Sequence, residues 1–364
     1  MILALLVACA PRHEVVTIDL VEIRSRSGDA LPALGASAQV DRGLRDAAER
    51  LAAAATSAEA RLTEGAVRTA LDLAGYPGAA RFVKVIAGTE LPAGLLDNVP
   101  RGEPIDVGWA WRDFGDGRRW WVLGWAPRRV TLDPVPRDLV PGGGVGVRVT
   151  GAPSARMFVA SPRGVVTEYD LAQGTTRWVG GLDEPGDWRF EVVDHDRVEL
   201  AWTHYVGASP PALTALPVER GVESPMDVPP RLYDAVDALR VANGLAALER
   251  FSDFEPLVRE QAACIAAGGE ALHRSDLCPG VAARAAQGWY PRGAFHEDVA
   301  VASGAAEAWA GLRASPGHLA NLLCRDCTHI SIGAALEPAA DPRLFIVFEL
   351  MRFSEGEPEP IRRR

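Results

Sequence analysis

Apolar residues first recur at helical spacing where Val40, Leu44, Ala47, Ala48 and Leu51 fall on one face, and a second helical stretch closes at Gly75-Tyr76-Pro77-Gly78. The pattern predicts two helices between residues 40 and 75. The period then drops to two. Ile105, Val107, Trp109 and Trp111 alternate, residues 113–117 supply a turn, and residues 120–125 form a second apolar run, which together predict a β-hairpin. Five of the chain's ten tryptophans lie in that hairpin. Aromatics at alternating strand positions pack a core more often than they form a carbohydrate platform, and we read these as core. Pro134, Pro136, Pro141 and Gly142-Gly143-Gly144 end all periodicity and mark a boundary. Beyond it Val145, Val147 and Val149 alternate, and short apolar runs follow at 157–159 and 165–169. Trp188, Phe190 and Val192 then alternate up to a turn at 194–197, and Val198, Leu200 and Trp202 alternate back. About seven short strands in roughly 75 residues predict a small β-sandwich. It carries no cluster of acids, bases or nucleophiles and reads as a spacer or adhesion module.

A proline-rich linker over 209–230 leads to a last region in which helical and extended patterns mix. Leu232, Val236 and Leu239 define one helical face. A second helix is expected from near Ser252, where Ser252 and Glu255 have capping-box spacing. Leu257, Gln261, Cys264, Ile265 and Gly268 form its stripe, so Cys264 faces the core, and Gly268-Gly269 ends it. His273 follows on a loop or helix end. Phe295-His296-Glu297-Asp298-Val299-Ala300 precedes a helix carrying Trp309 and Leu312. Ser315-Pro316-Gly317-His318 opens another, with serine as cap, proline in first position, and Leu319, Leu322 and Leu323 on the buried side. His318 thus falls in a first helical turn. There the positive end of the helix dipole disfavours imidazolium and favours the neutral imidazole that a metal or a proton acceptor requires. Two strands close the region, one through Ile330 and Ile332 and one over 344–351. The second is apolar on both faces and is expected at the centre of a covered sheet.

The 364 residues exceed one ordinary core, and the breaks divide them into a leader at 1–10 and units at 14–130, 142–217 and 228–355. A hydrophobic share of 48% and a charged share of 24% exclude global disorder and a multi-span membrane protein. A formal charge of -10 speaks against nucleic acid or an anionic membrane surface as a partner, and Arg362-Arg363-Arg364 reads as a solvated tail. The first ten residues, MILALLVACA, contain Leu6-Val7-Ala8-Cys9, which resembles the lipobox of bacterial lipoproteins. Cys9 would then be lipidated and would be the sole attachment to a membrane, and the missing basic segment implies a start upstream of Met1. A short apolar terminus with a chance cysteine is the other reading. Cys264, Cys278, Cys324 and Cys327 are even in number and confined to the last region, as disulfides of an exported protein would be, with three pairings open. The rival is a reduced metal or redox motif at Cys324-Arg325-Asp326-Cys327, which lacks a second pair and a βαβ context.

Ser315-Pro316-Gly317-His318-Leu319-Ala320-Asn321-Leu322-Leu323, followed by Thr328-His329-Ile330-Ser331-Ile332-Gly333, resembles the SPGHRANLL segment and TxIGIG-like strand of bacterial, SCP-like members of the CAP superfamily. That superfamily comprises cysteine-rich secretory proteins, antigen 5 and pathogenesis-related 1 proteins. The resemblance spans about 120 residues. It implies an α+β chain whose last unit is a three-layer α-β-α CAP domain. It also implies a shallow cleft holding His273 as the family's first histidine, Glu297 as the glutamate of its Gly-Glu-Asn motif and His318 as its second histidine. There are departures. His296-Glu297-Asp298 stands where the family has Gly-Glu-Asn, and Cys324 and Cys327 replace an asparagine and an aromatic residue often found in relatives. The second acid after the tryptophan is missing, Glu307 being the nearest candidate. Four of the seven histidines lie between His273 and His329, two of them on the motif, which favours a shared site over scattered structural histidines. The order of helices, Ile105-Asp106-Val107-Gly108-Trp109-Ala110-Trp111, turn and strand is similar to that around Ile330-Ser331-Ile332-Gly333-Ala334-Ala335-Leu336. A degenerate CAP-like unit and generic α+β patterning both account for it.

The resulting expectation is an exported protein, lipid-anchored in the cell envelope or extracellular, whose cleft binds a divalent cation such as zinc, or a lipid or cell-surface ligand, without turnover. The alternative is a secreted, peptidase-like hydrolase in which Glu297 or a histidine activates water. It lacks both a nucleophile elbow and an HExxH pair.

Overall fold

The computed structural model describes residues 38–353 apart from 88–98, 101–102, 116, 136–137, 195–196, 219–220, 270–272, 274–277, 281–282, 284–292 and 340–341. The leader with Cys9 therefore lies outside the described residues. The chain contains both helices and sheets, so it is of α+β type.

Val40 belongs to a short strand, β1 (Ala38–Val40), and is 39% exposed, so the first helix starts two residues later than its pattern suggests. The reason is a cap. Asp41 accepts a 2.9 Å hydrogen bond from the Leu44 amide and opens α1 (Arg42–Ala54), which buries Leu44, Ala47, Ala48 and Leu51. The Thr63 hydroxyl likewise opens α2 (Glu64–Ala74), and Gly75, at φ 86°, closes it in the left-handed conformation that glycine adopts freely. Strands β2 (Arg81–Ala87), β3 (Ile105–Asp113) and β4 (Arg119–Pro127) complete a sheet of order β1-β3-β4-β2, with β1 parallel to β3 and the other pairs antiparallel. The hairpin tryptophans fill core on both faces. Trp120 lies fully buried under the helices with its indole N–H on the Ala60 carbonyl, while Trp109, Trp121 and Trp125 pack the opposite face.

Two sheets form the middle unit, β10-β7-β5 and β6-β12-β11-β8-β9. Their strands are β5 (Thr131–Leu132), β6 (Asp138–Leu139), β7 (Gly143–Thr150), β8 (Ala155–Ala160), β9 (Val166–Asp170), β10 (Thr176–Leu182), β11 (Gly186–Asp194) and β12 (Arg197–Val206). Val147, Met157, Val159, Phe190 and Trp202 pack between them. The proline-rich break is thus not a free linker: β5 pairs with β7, and β6 with β12, as short edge strands. Proline cannot donate to a ladder, which confines such pieces to edges.

In the last unit, α3 (Val228–Ala242), β13 (Glu249–Arg250), α4 (Glu255–Gly268), β14 (Gly293–Ala302), α5 (Ala305–Ala314), α6 (Pro316–Leu322), β15 (His329–Leu336) and β16 (Leu344–Phe353) follow in turn. The sheet order is β13-β15-β16-β14, with β16 in the interior as its apolar run predicts. Val258, Ala262 and Ile265 of α4 pack against Phe345, Val347 and Met351 on one face. Val236 of α3, Leu312 of α5 and Leu322 of α6 pack with Ile346, Phe348 and Leu350 on the other. Two expectations need correction. Ser252 begins a single 3-10 turn, Ser252–Phe254, and α4 starts at Glu255 without a side-chain cap, so the capping box does not form. Residues 295–300, for which periodicity indicated no element, form the middle of β14. His296, Glu297 and Asp298 place polar groups on both faces there, and the period-two signal is lost.

The first and last sheets share one topology. In each, a short strand lies parallel to the first strand of a hairpin, a helix follows it, and the next strand pairs antiparallel with the hairpin's second strand. The last unit adds α5 and α6 between β14 and β15. Matching glycines carry the helix in each. A Cβ on Gly108 would stand 2.4 Å from the Arg45 amide nitrogen of α1, and one on Gly333 would stand 2.6 Å from the Arg259 amide nitrogen of α4.

Candidate functional site

Gly269, at φ 68°, turns the chain out of α4, and His273 follows with its backbone carbonyl held by the buried Gln261 side chain at 3.3 Å. Across from it, β14 presents Glu297. The His273 Nδ1 and Glu297 Oε1 atoms are 2.9 Å apart, with the carboxylate side chain 9% exposed and the imidazole 33%. A carboxylate at Nδ1 makes that nitrogen the donor and places the lone pair on Nε2. The second carboxylate oxygen of Glu297 is buried with no hydrogen-bond partner among the described residues.

His318 comes from the start of α6. Its amide is capped by the Ser315 hydroxyl at 3.3 Å with Pro316 in the first turn, as the sequence predicts. The imidazole is pushed down to a pKa of about 4, first by burial and next by the neighbouring His273. Neutrality, which the helix dipole alone was expected to supply, thus comes chiefly from desolvation. Its Nδ1 is also buried without a partner among the described residues. His273 and Glu297 are therefore in contact and His318 stands near, but the three do not form a tight cage. The one trio of metal-ligating side chains with all donor atoms within 4.8 Å, among the described residues, is His296, Cys324 and Cys327.

The residue after Glu297 is fully buried. Asn321 of the α6 motif donates to Asp298 Oδ1 at 2.7 Å, and burial raises the Asp298 pKa to about 8. At neutral pH this carboxyl is mostly protonated and neutral. Burial and the Arg352 charge lower the pKa of His296, on the same face of β14, and Asn321 hydrogen-bonds it as well. Glu349 was missed by the sequence reading. It lies opposite Glu297 in the β14–β16 register, fully buried. Its signal was one acid inside the apolar run Phe345-Ile346-Val347-Phe348-Glu349-Leu350.

Glu307 is occupied elsewhere. It pairs with Arg61 of the first unit at 2.7 Å and accepts from the Ser303 amide and hydroxyl at 2.9 and 2.8 Å. Of the three possible disulfide pairings, the structure has Cys264–Cys278 and Cys324–Cys327. The first closes the segment that carries His273 back onto α4. A group outside the last unit also bears on the site. Glu191 of β11, 2% exposed, accepts from the Ser315 hydroxyl at 2.9 and 3.0 Å and from the Gly317 amide at 2.8 Å, so the sandwich caps the helix that presents His318.

No protein-family model matches the chain, and no curated protein matches it. Limited similarity is found to three solved structures. One is an outer surface protein from Borrelia burgdorferi, at TM-score 0.30 and 19% identity, covering 34% of this chain and 92% of that one. The second is an extracellular protein containing an SCP domain from Bacillus anthracis, at TM-score 0.31 and 16% identity, covering 46% of this chain and 57% of that one. The third is a cysteine-rich secretory protein from Staphylococcus aureus, at TM-score 0.30 and 11% identity, covering 62% of this chain and 84% of that one.

Proposed function

We propose that this chain is an exported, CAP-type binding protein, anchored through a lipid on Cys9, whose last unit is an α-β-α CAP domain. In this reading the site of His273, Glu297 and His318 holds a divalent cation of the zinc class, or a lipid or cell-surface ligand, without turnover. The first unit, with the same strand order and no histidine between His13 and His195, is a CAP-like unit that lacks the site. The 2.9 Å contact of Glu297 with His273 carries the reading. It makes the glutamate an orienting partner that fixes the tautomer and ring orientation of the imidazole, as carboxylates do for metal-binding histidines. The fit to a cation rests on the neutral imidazole of His318 and on the unpartnered buried atoms of Glu297 and His318. Both disulfides accord with export.

Calorimetric titration of the non-reduced protein with zinc tests the site. His273→Ala and His318→Ala are expected to abolish binding, and Glu297→Ala to weaken it about 10–100-fold. Equal affinity in the wild type and all three variants would exclude a cation site, leaving the lipid or surface ligand. Peptidase activity that depends on Glu297 would replace binding by hydrolysis.

A further inference from the structure

The Cys324–Cys327 bridge joins residues only three apart, in the loop between α6 and β15. A ring that small removes little freedom from the unfolded chain, because the entropic gain grows with the loop closed; the Cys264–Cys278 bridge, fourteen apart, has more to contribute. Yet the short pair is carefully placed. Cys327 is 4% exposed inside the core beneath β16, with Cys324 packed at its margin. The loop backbone is gripped by Arg240, itself 2% exposed, whose guanidinium donates to the carbonyls of Leu322 at 3.0 Å and Cys324 at 2.8 Å. From the edge strand β14, His296 reaches the same spot. One ring nitrogen and the two sulfurs all lie within 4.8 Å of one another.

We propose that, once the bridge is opened, Cys324, Cys327 and His296 form a binding site for a thiophilic cation such as Zn2+, separate from the His273–Glu297–His318 site, and that disulfide and metal exclude each other there. Two thiolates and an imidazole are a ligand set suited to tetrahedral zinc, with a fourth position left for water. Sulfurs bonded to each other are not thiolates and do not ligate in this way. A dithiol reductant opens the bridge by passing two electrons and two protons to the sulfurs and becoming a disulfide itself. The incoming cation then displaces the two thiol protons to solvent as two metal–sulfur bonds form. Because His296 is fixed on a strand and the loop is held by Arg240, the donors stay close while the sulfurs separate. The bridge thus acts as a redox gate on the site.

The test uses the full chain, reduced with dithiothreitol, desalted without oxygen and titrated with Co2+. Thiolate-to-cobalt charge-transfer absorption reports sulfur ligation only, so it is silent on a site built from histidine and carboxylate. The reduced protein is expected to show this band, to lose it when zinc displaces cobalt, and to show none before reduction. Cys324→Ser should abolish it, His296→Ala should weaken binding about tenfold or more, and His273→Ala should leave it intact. Absence of the band in the reduced wild type, or its survival in Cys324→Ser, overturns the proposal. If the serine variant does not fold, alkylation of the reduced wild type decides: zinc should protect Cys324 and Cys327 but not Cys264 and Cys278, and equal labelling with and without zinc overturns the site.

Discussion

At the scale of single residues, Asp298 shows how packing rewrites chemistry. Its buried carboxyl has a pKa of about 8, with burial as the first cause, against about 3.9 for an unperturbed aspartate. A carboxyl whose folded pKa lies above its unfolded one stabilises fully below the unfolded value and loses that contribution as pH rises through the folded value. The loss therefore runs from about pH 4 to about pH 8. Asp298→Asn keeps the shape and the acceptor for Asn321 but cannot ionise. The variant is expected to melt higher than wild type at pH 8 by a wider margin than at pH 5; a margin independent of pH would contradict the buried-acid reading. None of this was visible in the residue letters. His273, Glu297 and His318 were singled out because the motif around His318 resembles a family whose members carry two histidines and a glutamate. The state of Asp298, the placement of Glu349 opposite Glu297 and the nearness of His296 to Cys324 and Cys327 depend on which side chains a fold surrounds.

Elements were legible where local signals were complete. The Ser315 cap and the Gly75 and Gly269 exits bound their helices through hydrogen bonds within a few residues, whereas the Asp41 cap sets a start two residues after the one the apolar pattern suggested. β14 was missed because His296, Glu297 and Asp298 put polar groups on both of its faces, and β5 and β6 because two-residue edge strands leave no periodicity. The start of α6 has a second cap that no local signal shows, Glu191 from the sandwich. Burial raises this carboxyl's pKa, while Arg68 and the donors at Gly317 and Ser315 oppose the shift. Removing an acceptor that serves buried donors costs about 1–3 kcal/mol. Glu191→Ala is expected to destabilise by that amount in urea unfolding and to speed amide exchange across α6, while Glu191→Gln, which retains an acceptor, loses less. Identical unfolding and exchange in Glu191→Ala and wild type would mean that the sandwich does not hold the helix.

Across the whole molecule, the units are joined by polar contacts rather than by sequence proximity. Arg61 meets Glu307 at 2.7 Å, Thr203 meets Asp72 at 2.8 Å, and Glu191 meets Ser315 and Gly317. Such contacts tie the His318 helix to the middle unit. Anchoring belongs to this scale as well. If Cys9 carries lipid, the protein expressed from its native start will partition with membranes and Cys9→Ser will be released to the soluble fraction; the same distribution for both removes the anchor. Thiol titration of the unfolded, non-reduced protein should find none of Cys264, Cys278, Cys324 and Cys327 free.

The sequence by itself determined the main helices, the interior strand β16 and the strand-rich middle, because these follow from periodicity and from chemistry local along the chain; the candidate trio came only from the family resemblance. Only the tertiary structure decided the disulfide pairing, the common strand order of the first and last sheets, the neutrality of Asp298 and the meeting of His296 with Cys324 and Cys327. Those depend on desolvation and on distances between residues far apart in the chain, and neither quantity exists until the chain has folded.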